Sequence, residues 1–433
     1  MNPVDLIIKK RNGQKLNQQE MATFIKGVSD DSWADYQVSA MLMAMFIKGL
    51  DDQETADMTM AMAHSGHQLN LDIVPGIKVD KHSTGGVADT TTLILVPLIA
   101  ACDVPIIKMS GRGLGFTGGT IDKLESIPGF ETDLSEEQAV HQAKEIKMAI
   151  LSQTDNLTPA DRKLYALRDV TGTIDSIPLI AASIMSKKIA AGADAIVLDV
   201  KCGSGAFMRN ERDARALAAA MTAIGQQVGR KVKAVISRMD QPLGSYVGNS
   251  LEVIEAIEVL KGNMTGDLLD VTLTLGSQLL CLADRCKSPD EAGQLLRDKI
   301  KNGEGLNCLS KLITAQKGNA DVINDYRLFP QAKVRQVLAA RAAGYLSSMR
   351  TADIGQAFIE TGGGRKKKND TIDPAAGFIF HKRLGDKISA GESILEIYTQ
   401  SEQQAKTAED KLRQAIKITL EPAETRPVMI DLI

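Results

Sequence analysis

Apolar residues in the first 66 positions recur at helical spacing. Ala, Met, Leu and Ile stand three or four residues apart in Met21–Val28, Ser32–Lys48 and Asp52–His64, as on the buried face of an amphipathic helix. The same spacing returns in Pro159–Leu167 and Ile177–Ala190, with a glycine-containing turn between them. These patterns predict a small all-helical domain that is discontinuous in the chain, formed by residues 1–66 plus 158–192.

The segments between and after these helices carry short apolar, β-branched runs. The runs are Ile77–Asp80, Pro105–Met109, Met148–Leu151, Ala195–Lys201 and Lys231–Ile236. Helical stretches separate them, an alternation that is typical of a mostly parallel sheet with crossover helices. We predict a large α/β domain over residues 78–154 plus 195–340, which ends in a long helical region from about Leu251 to Ala340.

From Tyr345 onward, short strand-like runs alternate with turns. Gly377–His381 and Ser393–Tyr398 are the clearest runs, and Gly385 and Gly391 mark turns. This pattern predicts a small C-terminal α+β domain over residues 345–433. The expected fold class is therefore mixed α/β, with three domains joined by linkers near residues 65–74, 152–158 and 190–193.

Composition narrows the class of protein. A net charge of −3 over 433 residues argues against a general nucleic-acid binder, which carries a basic face. No apolar run reaches the roughly eighteen residues that span a bilayer, and the N-terminus lacks a signal-peptide core. The five cysteines are scattered, without a CxxC pair. We expect a reduced, cytoplasmic protein with no structural zinc and no nucleic-acid or membrane partner.

Two glycine-rich segments carry the most specific chemistry. Lys81–Gly86 and Ser110–Thr120 each follow a strand-like run and combine glycines with hydroxyl and cationic side chains. Glycine lets backbone N–H groups approach a ligand, hydroxyls add donors, and Lys and Arg add positive charge. Together the segments predict a site for an oxyanion, most simply phosphate. A solvated turn is the alternative for Lys81–Ser83 taken alone.

A dinucleotide cofactor is the competing interpretation of the second segment. Gly113–Gly118 formally matches the GxGxxG pattern. A Rossmann unit, however, continues through a full helix to a strand that ends in an acidic residue. Here Pro128 and Gly129 interrupt the helical run, and no GxxxxGK[ST] motif occurs. We therefore expect no organic cofactor.

A second constellation lies in the helical segments. Ser183 and Lys187 are four residues apart on one predicted helix and so share a face, and Arg168 precedes the turn that leads to this helix. A surface arginine and a helix-end lysine are the plain interpretation. The functional one is a pocket for a planar ligand whose carbonyl oxygens accept hydrogen bonds from Arg, Ser and Lys.

Longer runs of sequence indicate a family. KHSTGGV at 81–87, KMSGRGLG at 108–115, TGGTIDKLE at 117–125 and YALRDV at 165–170 resemble the thymidine/pyrimidine-nucleoside phosphorylase family, in particular its pyrimidine-nucleoside phosphorylases from Gram-positive bacteria. The likeness extends over essentially the whole chain. It implies a homodimer that associates through the helical domain, and reversible phosphorolysis of pyrimidine nucleosides by orthophosphate.

The resemblance also implies roles for individual residues. The residues that match the family's phosphate contacts are Lys81, Ser83, Thr92, Lys108, Ser110 and Thr120. Those that match its pyrimidine contacts are Arg168, Ser183 and Lys187, and His82 would lie near the O2 atom of the base. His82, Arg168 and Lys187 are the catalytic candidates, and Lys108 is the basis for expecting both uridine and thymidine as substrates.

The same resemblance implies a structural potassium ion. Family members hold the ion, mostly through backbone carbonyls, near the positions that match Ala88, Thr90, Leu243, Tyr246 and Glu255. Ala88 stands where Gly is usual, and Tyr246 is bulkier than the usual residue. Phe116 also replaces a usual His between the two glycine clusters. We keep the potassium ion as an expectation.

Other functions stay open at this point. A phosphorylase restricted to thymidine, or a magnesium-dependent phosphoribosyltransferase of related architecture, would use similar loops, and a non-catalytic binding protein is the remaining alternative. We also expect the three linkers to bend, so that the phosphate loops and the base-binding helices approach one another. Whether Cys202, beside the turn Gly203–Gly205, has any role is open.

Overall fold

A computed structural model describes residues 2–113, 115, 118–153, 156–367 and 369–433. In chain order its helices are α1 (Pro3–Arg11), α2 (Gln18–Ser29), α3 (Asp35–Lys48), α4 (Asp52–Ala63), α5 (Thr91–Ala101), α6 (Thr120–Glu125), α7 (Glu136–Ile146), α8 (Pro159–Thr171), α9 (Ile177–Ala190), α10 (Glu211–Gln227), α11 (Asn249–Leu260), α12 (Asp267–Leu282), α13 (Pro289–Lys301), α14 (Glu304–Ala315), α15 (Thr351–Glu360) and α16 (Glu402–Ala415). Its strands are β1 (Val79–Ser83), β2 (Ile106–Ser110), β3 (Met148–Ser152), β4 (Ala195–Cys202), β5 (Lys231–Arg238), β6 (Tyr246–Gly248), β7 (Val334–Ala339), β8 (Gly344–Met349), β9 (Gly377–Phe380), β10 (Lys387–Ile388), β11 (Ser393–Thr399), β12 (Ile416–Thr419) and β13 (Met429–Leu432).

The helical domain is built from two separate parts of the chain. Asn17 and Asp51 cap α2 and α4 in capping boxes that fix where these helices begin. Phe24 of α2 packs in the same apolar core as Leu164 of α8 and Leu179 of α9. Helices α8 and α9 therefore complete a core that α1–α4 cannot close alone. The sequence pattern misses α1, whose apolar face is short.

The central sheet has six strands within the described residues, in the order β13-β5-β4-β1-β2-β3. Strands β5, β4, β1, β2 and β3 run parallel, which confirms the predicted mostly parallel sheet, whereas β13 is antiparallel to β5. Successive residues face opposite layers: Ile106 points into the core beneath α5 and α12, and Ile107 into the core shared with α10. Both faces of the sheet are thus covered.

The expected helical region up to Ala340 is wrong in its last part. The α-helices end at Ala315, two 3₁₀ turns follow, and Val334–Ala339 forms β7, which pairs antiparallel with β11. The partner strand lies about sixty residues further along the chain, and local periodicity carries no information on such a pairing.

The C-terminal domain is joined to the α/β domain by shared strands. Its four-stranded sheet has the order β6-β9-β11-β7, and β6 comes from the loop that follows β5. Conversely, β13, the last strand of the chain, pairs with β5 of the central sheet and not with the C-terminal domain. The predicted range 345–433 therefore contains one strand that belongs to the central sheet, and residues 246–248 pair outside it. Among the described residues, no helix combines the length and apolar character needed to cross a bilayer.

Candidate active site

The two glycine-rich segments meet because β1 and β2 are neighbouring parallel strands. Val79 of β1 is in register with Ile106 of β2, so both strands end at the same edge of the sheet. Ligands of open α/β sheets bind at this carboxyl edge. Strand β1 ends at Ser83, just after Lys81 and His82, and β2 ends at Ser110, two residues after Lys108.

A cavity of about 230 Å³ lies at this edge. All six residues expected to bind phosphate line it, namely Lys81, Ser83, Thr92, Lys108, Ser110 and Thr120. His82 and Lys187 line it too. The described residues of the lining include four lysines and one arginine but a single carboxylate, that of Asp89. The cavity therefore has the positive charge and the hydroxyl donors that an oxyanion needs.

Lys81 is held at the bottom of this cavity as a buried cation. Its Nζ donates a hydrogen bond to Thr91 Oγ1 at 2.6 Å and lies 3.8 Å from Asp89 Oδ1 and 3.7 Å from Asp199 Oδ2. Burial lowers the pKa of Lys81, and the two carboxylates oppose that shift. Asp89 and Asp199 thus favour the charged form of this buried amino group.

Asp89 is the acidic residue that sequence reasoning missed. Its carboxylate accepts hydrogen bonds from the hydroxyls of Ser83 and Thr91. Burial opposes its ionisation, but Lys201 and Lys81 hold its pKa well below the ordinary value. Because Asp89 fixes Ser83, it orients one predicted phosphate donor. Its place six residues after Ser83, just before α5, gave no signal of this contact.

A second buried charge group lies beside the first. Lys188 Nζ donates to Asp80 Oδ2 at 2.7 Å, and Lys108 Nζ lies 3.8 Å from Asp80 Oδ1 while donating to the Met109 carbonyl at 3.1 Å. Burial and the neighbouring Lys188 lower the pKa of Lys108 well below its usual range. One carboxylate therefore serves two lysines, and an anion bound in the cavity would favour the charged form of Lys108.

His82 is uncharged in this surrounding. Burial lowers the pKa of the imidazole well below 6.5, and Lys188, Lys108, Lys81 and Lys187 lower it further. A neutral imidazole still has one N–H donor. His82 can therefore donate one hydrogen bond, and it needs a neighbouring anion before it holds a second proton.

The second glycine-rich segment is packed against the start of α6. A Cβ on Gly119 would lie 2.0 Å from the backbone nitrogen of Gly113, so only glycine fits there. Asp122 of α6 accepts the Gly113 N–H at 2.7 Å, and Arg365 of the C-terminal domain donates to the same carboxylate at 2.8 Å. The loop is thus fastened at its base. Phe116, with its neighbour Thr117, lies outside the described residues.

The three residues expected to bind the pyrimidine are brought together in part. Lys187 Nζ donates to Ser183 Oγ at 3.0 Å and forms an ion pair with Asp161 of α8, a partner that the sequence did not indicate. Lys187 also lines the phosphate cavity, whereas Ser183 is not among its lining residues. Lys187 therefore connects the predicted base site with the predicted phosphate site.

Arg168 is buried, and its guanidinium holds the turn between α8 and α9. It donates to the backbone carbonyls of Thr173, Leu179 and Ile174 at 3.3, 3.1 and 2.7 Å. These bonds use three of the five guanidinium N–H groups, and Arg168 is not among the residues that line the phosphate cavity. Its role toward a pyrimidine stays a prediction.

Known proteins share the sequence and the fold. The chain matches the helical bundle domain of a glycosyl transferase family over residues 4–66, the a/b domain of the same family over 76–306, and the pyrimidine nucleoside phosphorylase C-terminal domain over 345–419. It is 52% identical over 402 residues, 93% of each chain, to a pyrimidine-nucleoside phosphorylase of Bacillus subtilis (strain 168). It is 50% identical over 433 residues, 100% of each chain, to one of Geobacillus stearothermophilus. The chain belongs to the pyrimidine-nucleoside phosphorylase family.

This membership confirms the resemblance read from the glycine-rich motifs. A solved structure, anthranilate phosphoribosyltransferase from Thermus thermophilus, aligns with a TM-score of 0.60 at 19% identity, over 72% of this chain and 100% of that one. At that identity the likeness concerns the fold alone. It agrees with the predicted combination of a helical domain and a mostly parallel α/β domain.

The residues that the resemblance assigns to potassium lie where the loop after β1 meets the loop before β6. Ala88 adopts a φ of 55°, in the left-handed region that favours glycine. Its carbonyl accepts the backbone N–H groups of Thr90 and Gly244, both at 3.1 Å. The two lone pairs of this oxygen are therefore already used.

Three other groups assigned to that site are also engaged inside the protein, and the first is the Thr90 hydroxyl, which donates to Glu252 Oε2 at 2.6 Å. The Leu243 carbonyl accepts a hydrogen bond from Arg383 at 3.2 Å. The Glu255 carboxylate accepts the N–H groups of Ser245 at 2.6 Å and Tyr246 at 3.3 Å, and burial raises the pKa of Glu255 to about 7. As they stand, these groups do not fit a potassium ion.

Cys202 is buried at the end of β4. Burial raises the pKa of its thiol to about 11, so almost no thiolate exists at neutral pH. Cys202 packs in the apolar core on one face of the sheet, which is a structural role.

Proposed function

We propose that this chain catalyses the reversible phosphorolysis of pyrimidine nucleosides, giving the free base and ribose or deoxyribose 1-phosphate. The cation-lined cavity at the carboxyl ends of β1 and β2 carries this proposal, because six residues expected to contact phosphate line it together. The relatives of 50% identity and above that carry the name pyrimidine-nucleoside phosphorylase support it.

Orthophosphate would bind in this cavity as the nucleophile. Lys81, Ser83 and Ser110 would contact its oxygens from the strand ends, and Thr120 from the start of α6, where free N–H groups favour an anion. The fixed positions of Lys81 and Ser83, set by Asp89, reduce the ordering that binding requires. We expect no organic cofactor and no metal in the chemical step.

The pyrimidine would lie between this cavity and the helical domain. Arg168, Ser183 and Lys187 would donate to its carbonyl oxygens, with His82 close to O2. Lys187 already reaches the cavity. This placement brings the sugar carbon C1′ toward the phosphate.

The reaction would proceed by attack of a phosphate oxygen on C1′ as the bond from C1′ to the base nitrogen breaks. The electron pair of that bond leaves with the base, whose carbonyl oxygens gain negative charge. Lys187 and Arg168 would stabilise this charge, an effect of about 3–4 kcal/mol for a well-placed donor. His82 would donate a hydrogen bond or a proton to O2. The negative charge of the bound phosphate dianion would raise the pKa of His82 and so favour its protonated form.

Lys108 supports the use of ribonucleosides as well as deoxyribonucleosides. Its amino group lines the cavity, and with the sugar placed beside it a ribose 2′-hydroxyl could accept a hydrogen bond from it. A phosphorylase restricted to thymidine is the alternative. If Lys108 also reaches the ribose 2′-hydroxyl, Lys108→Met should lower the rate with both nucleosides through weaker phosphate binding, and more with uridine than with thymidine.

The direct test is phosphate-dependent release of base from uridine, thymidine and deoxyuridine in parallel. We expect release from all three, only with phosphate present, and unchanged after magnesium is removed with EDTA. Loss of activity on chelation would instead show a need for a divalent metal ion, as expected for a magnesium-dependent phosphoribosyltransferase. No release from any of the three nucleosides would contradict the proposed function.

The assembly belongs to the proposal as well. We propose a homodimer formed through α1 and α3, which expose apolar side chains to solvent in the single chain: Val4, Ile8, Tyr36, Met43, Phe46 and Ile47. Exposed apolar residues that cluster on one face favour a partner surface. The cytoplasm, where nucleosides and phosphate are available, is the proposed location.

A further inference from the structure

A cavity of about 780 Å³ lies between the α/β domain and the C-terminal domain. Arg383, in the loop after β9, lines it and extends toward the loop that precedes β6. Its Nη1 donates to the Gly244 carbonyl at 2.9 Å, and its Nη2 donates to the carbonyls of Pro242 at 2.6 Å and Leu243 at 3.2 Å. One guanidinium therefore serves three successive backbone carbonyls.

Three carbonyl oxygens that converge on one positive charge are the surrounding that proteins also give to potassium. The charge here is covalently attached to the chain. Arg383 is held in place because its side chain is only 24% exposed and Nη2 lies 3.5 Å from Asp267 Oδ2. The planar fork of arginine reaches several acceptors at once, with less loss of conformational freedom per bond than a lysine.

The loop that Arg383 holds is fastened to the phosphate site. The backbone N–H of Leu243 donates to the Val87 carbonyl, and that of Gly244 to the Ala88 carbonyl, both at 3.1 Å. Asp89, the next residue, orients Ser83 in the phosphate cavity. A positive charge at residues 242–244 thus stabilises the turn from which the phosphate-binding segment departs.

We propose that the guanidinium of Arg383 takes the place of the potassium ion that the family resemblance implies, so that this chain needs no monovalent cation to hold its phosphate loop. The carbonyls of Leu243 and Ala88, which the resemblance assigns to the ion, are occupied by Arg383 and by backbone N–H groups. This inference is independent of the reaction catalysed.

The test compares thermal unfolding in potassium, sodium and choline chloride at equal ionic strength. For the unaltered protein we expect the same Tm in all three salts, and no binding heat on titration with potassium chloride. Arg383→Met removes the charge and leaves three carbonyls without their donor. Its Tm is expected to fall in choline and to recover by at least about 2 °C in potassium alone.

Arg426→Met is the matched control, since Arg426 lines the same cavity but pairs with Glu424 at the surface. It should respond to the salts as the unaltered protein does. A potassium-specific rise in Tm of the unaltered protein, or an Arg383→Met variant indifferent to potassium, would overturn the proposal. If that variant does not fold, the unaltered protein in the three salts decides the question by itself.

Discussion

Lys187 is the residue at which the two predicted ligand sites meet. Its ammonium is shared between Asp161 and Ser183 on the helical domain, and it also lines the phosphate cavity of the α/β domain. Asp161 and Lys187 are 26 positions apart and on different helices, so the pair depends on how α8 packs against α9. A charge held in this way is oriented before the substrate arrives.

Lys187→Ala tests this residue directly. Loss of the ammonium removes stabilisation of the departing base, so kcat/KM should fall about 100-fold or more for every pyrimidine nucleoside. Phosphate affinity, measured by calorimetry, should stay unchanged. Lys163→Ala, which alters an exposed ion pair with Asp31 on the same domain, is the control. Full activity of Lys187→Ala would refute the role.

His82 carries a prediction on pH. The pKa of His82 is lowered in the folded protein, so the neutral imidazole stabilises the fold at a pH above 6.5. This stabilisation decreases as the pH drops below 6.5, and it is lost once the pH is below the pKa of His82 in the folded protein. His82→Asn should therefore flatten the decline of Tm with falling pH. By NMR, the imidazole should stay neutral at pH 6 without phosphate and titrate at higher pH with it. A midpoint near 6.5 in the phosphate-free protein would contradict this account.

At the scale of elements, the short helix α6 depends on the C-terminal domain. Asp122 holds Gly113 on one side and Arg365 on the other, and Arg365 also donates to the Gly113 carbonyl at 3.3 Å. Arg365 follows a run of three glycines and begins a basic stretch. In the structure it braces the phosphate-binding loop across 243 positions of sequence.

Arg365→Met should loosen this loop without touching the ligand. A charged hydrogen bond of this kind contributes about 1.5–3 kcal/mol, so we expect the KM for phosphate to rise about tenfold or more while kcat changes little. Lys366→Met is the control, because Lys366 is the next residue in the chain but pairs with Glu360 near the surface. An unchanged KM for phosphate in Arg365→Met would show that the brace does not position the loop.

At the scale of the whole molecule, three linkers join the helical domain to the rest. They run beside one another: His67 N–H donates to the Asn156 carbonyl and Leu69 N–H to the Ala190 carbonyl, both at 2.9 Å. Gly192 adopts a φ of 81° in the third linker. Adjacent linkers of this kind define one hinge, about which the helical domain can turn toward the phosphate cavity.

Closure about this hinge predicts a smaller molecule when both sites are filled. The radius of gyration from X-ray scattering should decrease with phosphate and a pyrimidine base together, and less with either alone, because the two ligands together make more contacts across the hinge than either one does. Crystals of the free and doubly liganded protein should show different domain spacing. Identical spacing in the two would remove closure from the mechanism.

The proposed dimer is tested on α3. Ile47 is 68% exposed in the single chain, and a glutamate there would place a charge in the apolar interface. Ile47→Glu should therefore shift the protein from dimer to monomer in sedimentation. Leu420→Glu, at a position 87% exposed on the C-terminal domain, should leave the assembly unchanged. A dimer that survives Ile47→Glu would place the interface elsewhere.

Local patterns in the sequence determined the type and approximate bounds of most elements, because helical and strand periodicity reflect one buried face at a time. They also located the glycine-rich loops, since glycine and its neighbouring hydroxyls and cations act over a few residues. The family followed from the same short runs. For these reasons Ile177–Ala190 and the strand that contains Lys108 were predictable.

Only the tertiary structure decided which distant groups meet. The strand β7 formed where helix was expected, because β11 offers it a pairing partner. The contacts of Arg383 with residues 242–244, of Arg365 with Asp122 and of Lys188 with Asp80 each join residues more than 100 positions apart. Such pairs depend on sheet order and domain packing, which bring together side chains that share no local pattern. The glycine-rich loops indicated an anion site in the sequence, and these long-range contacts determine its charge.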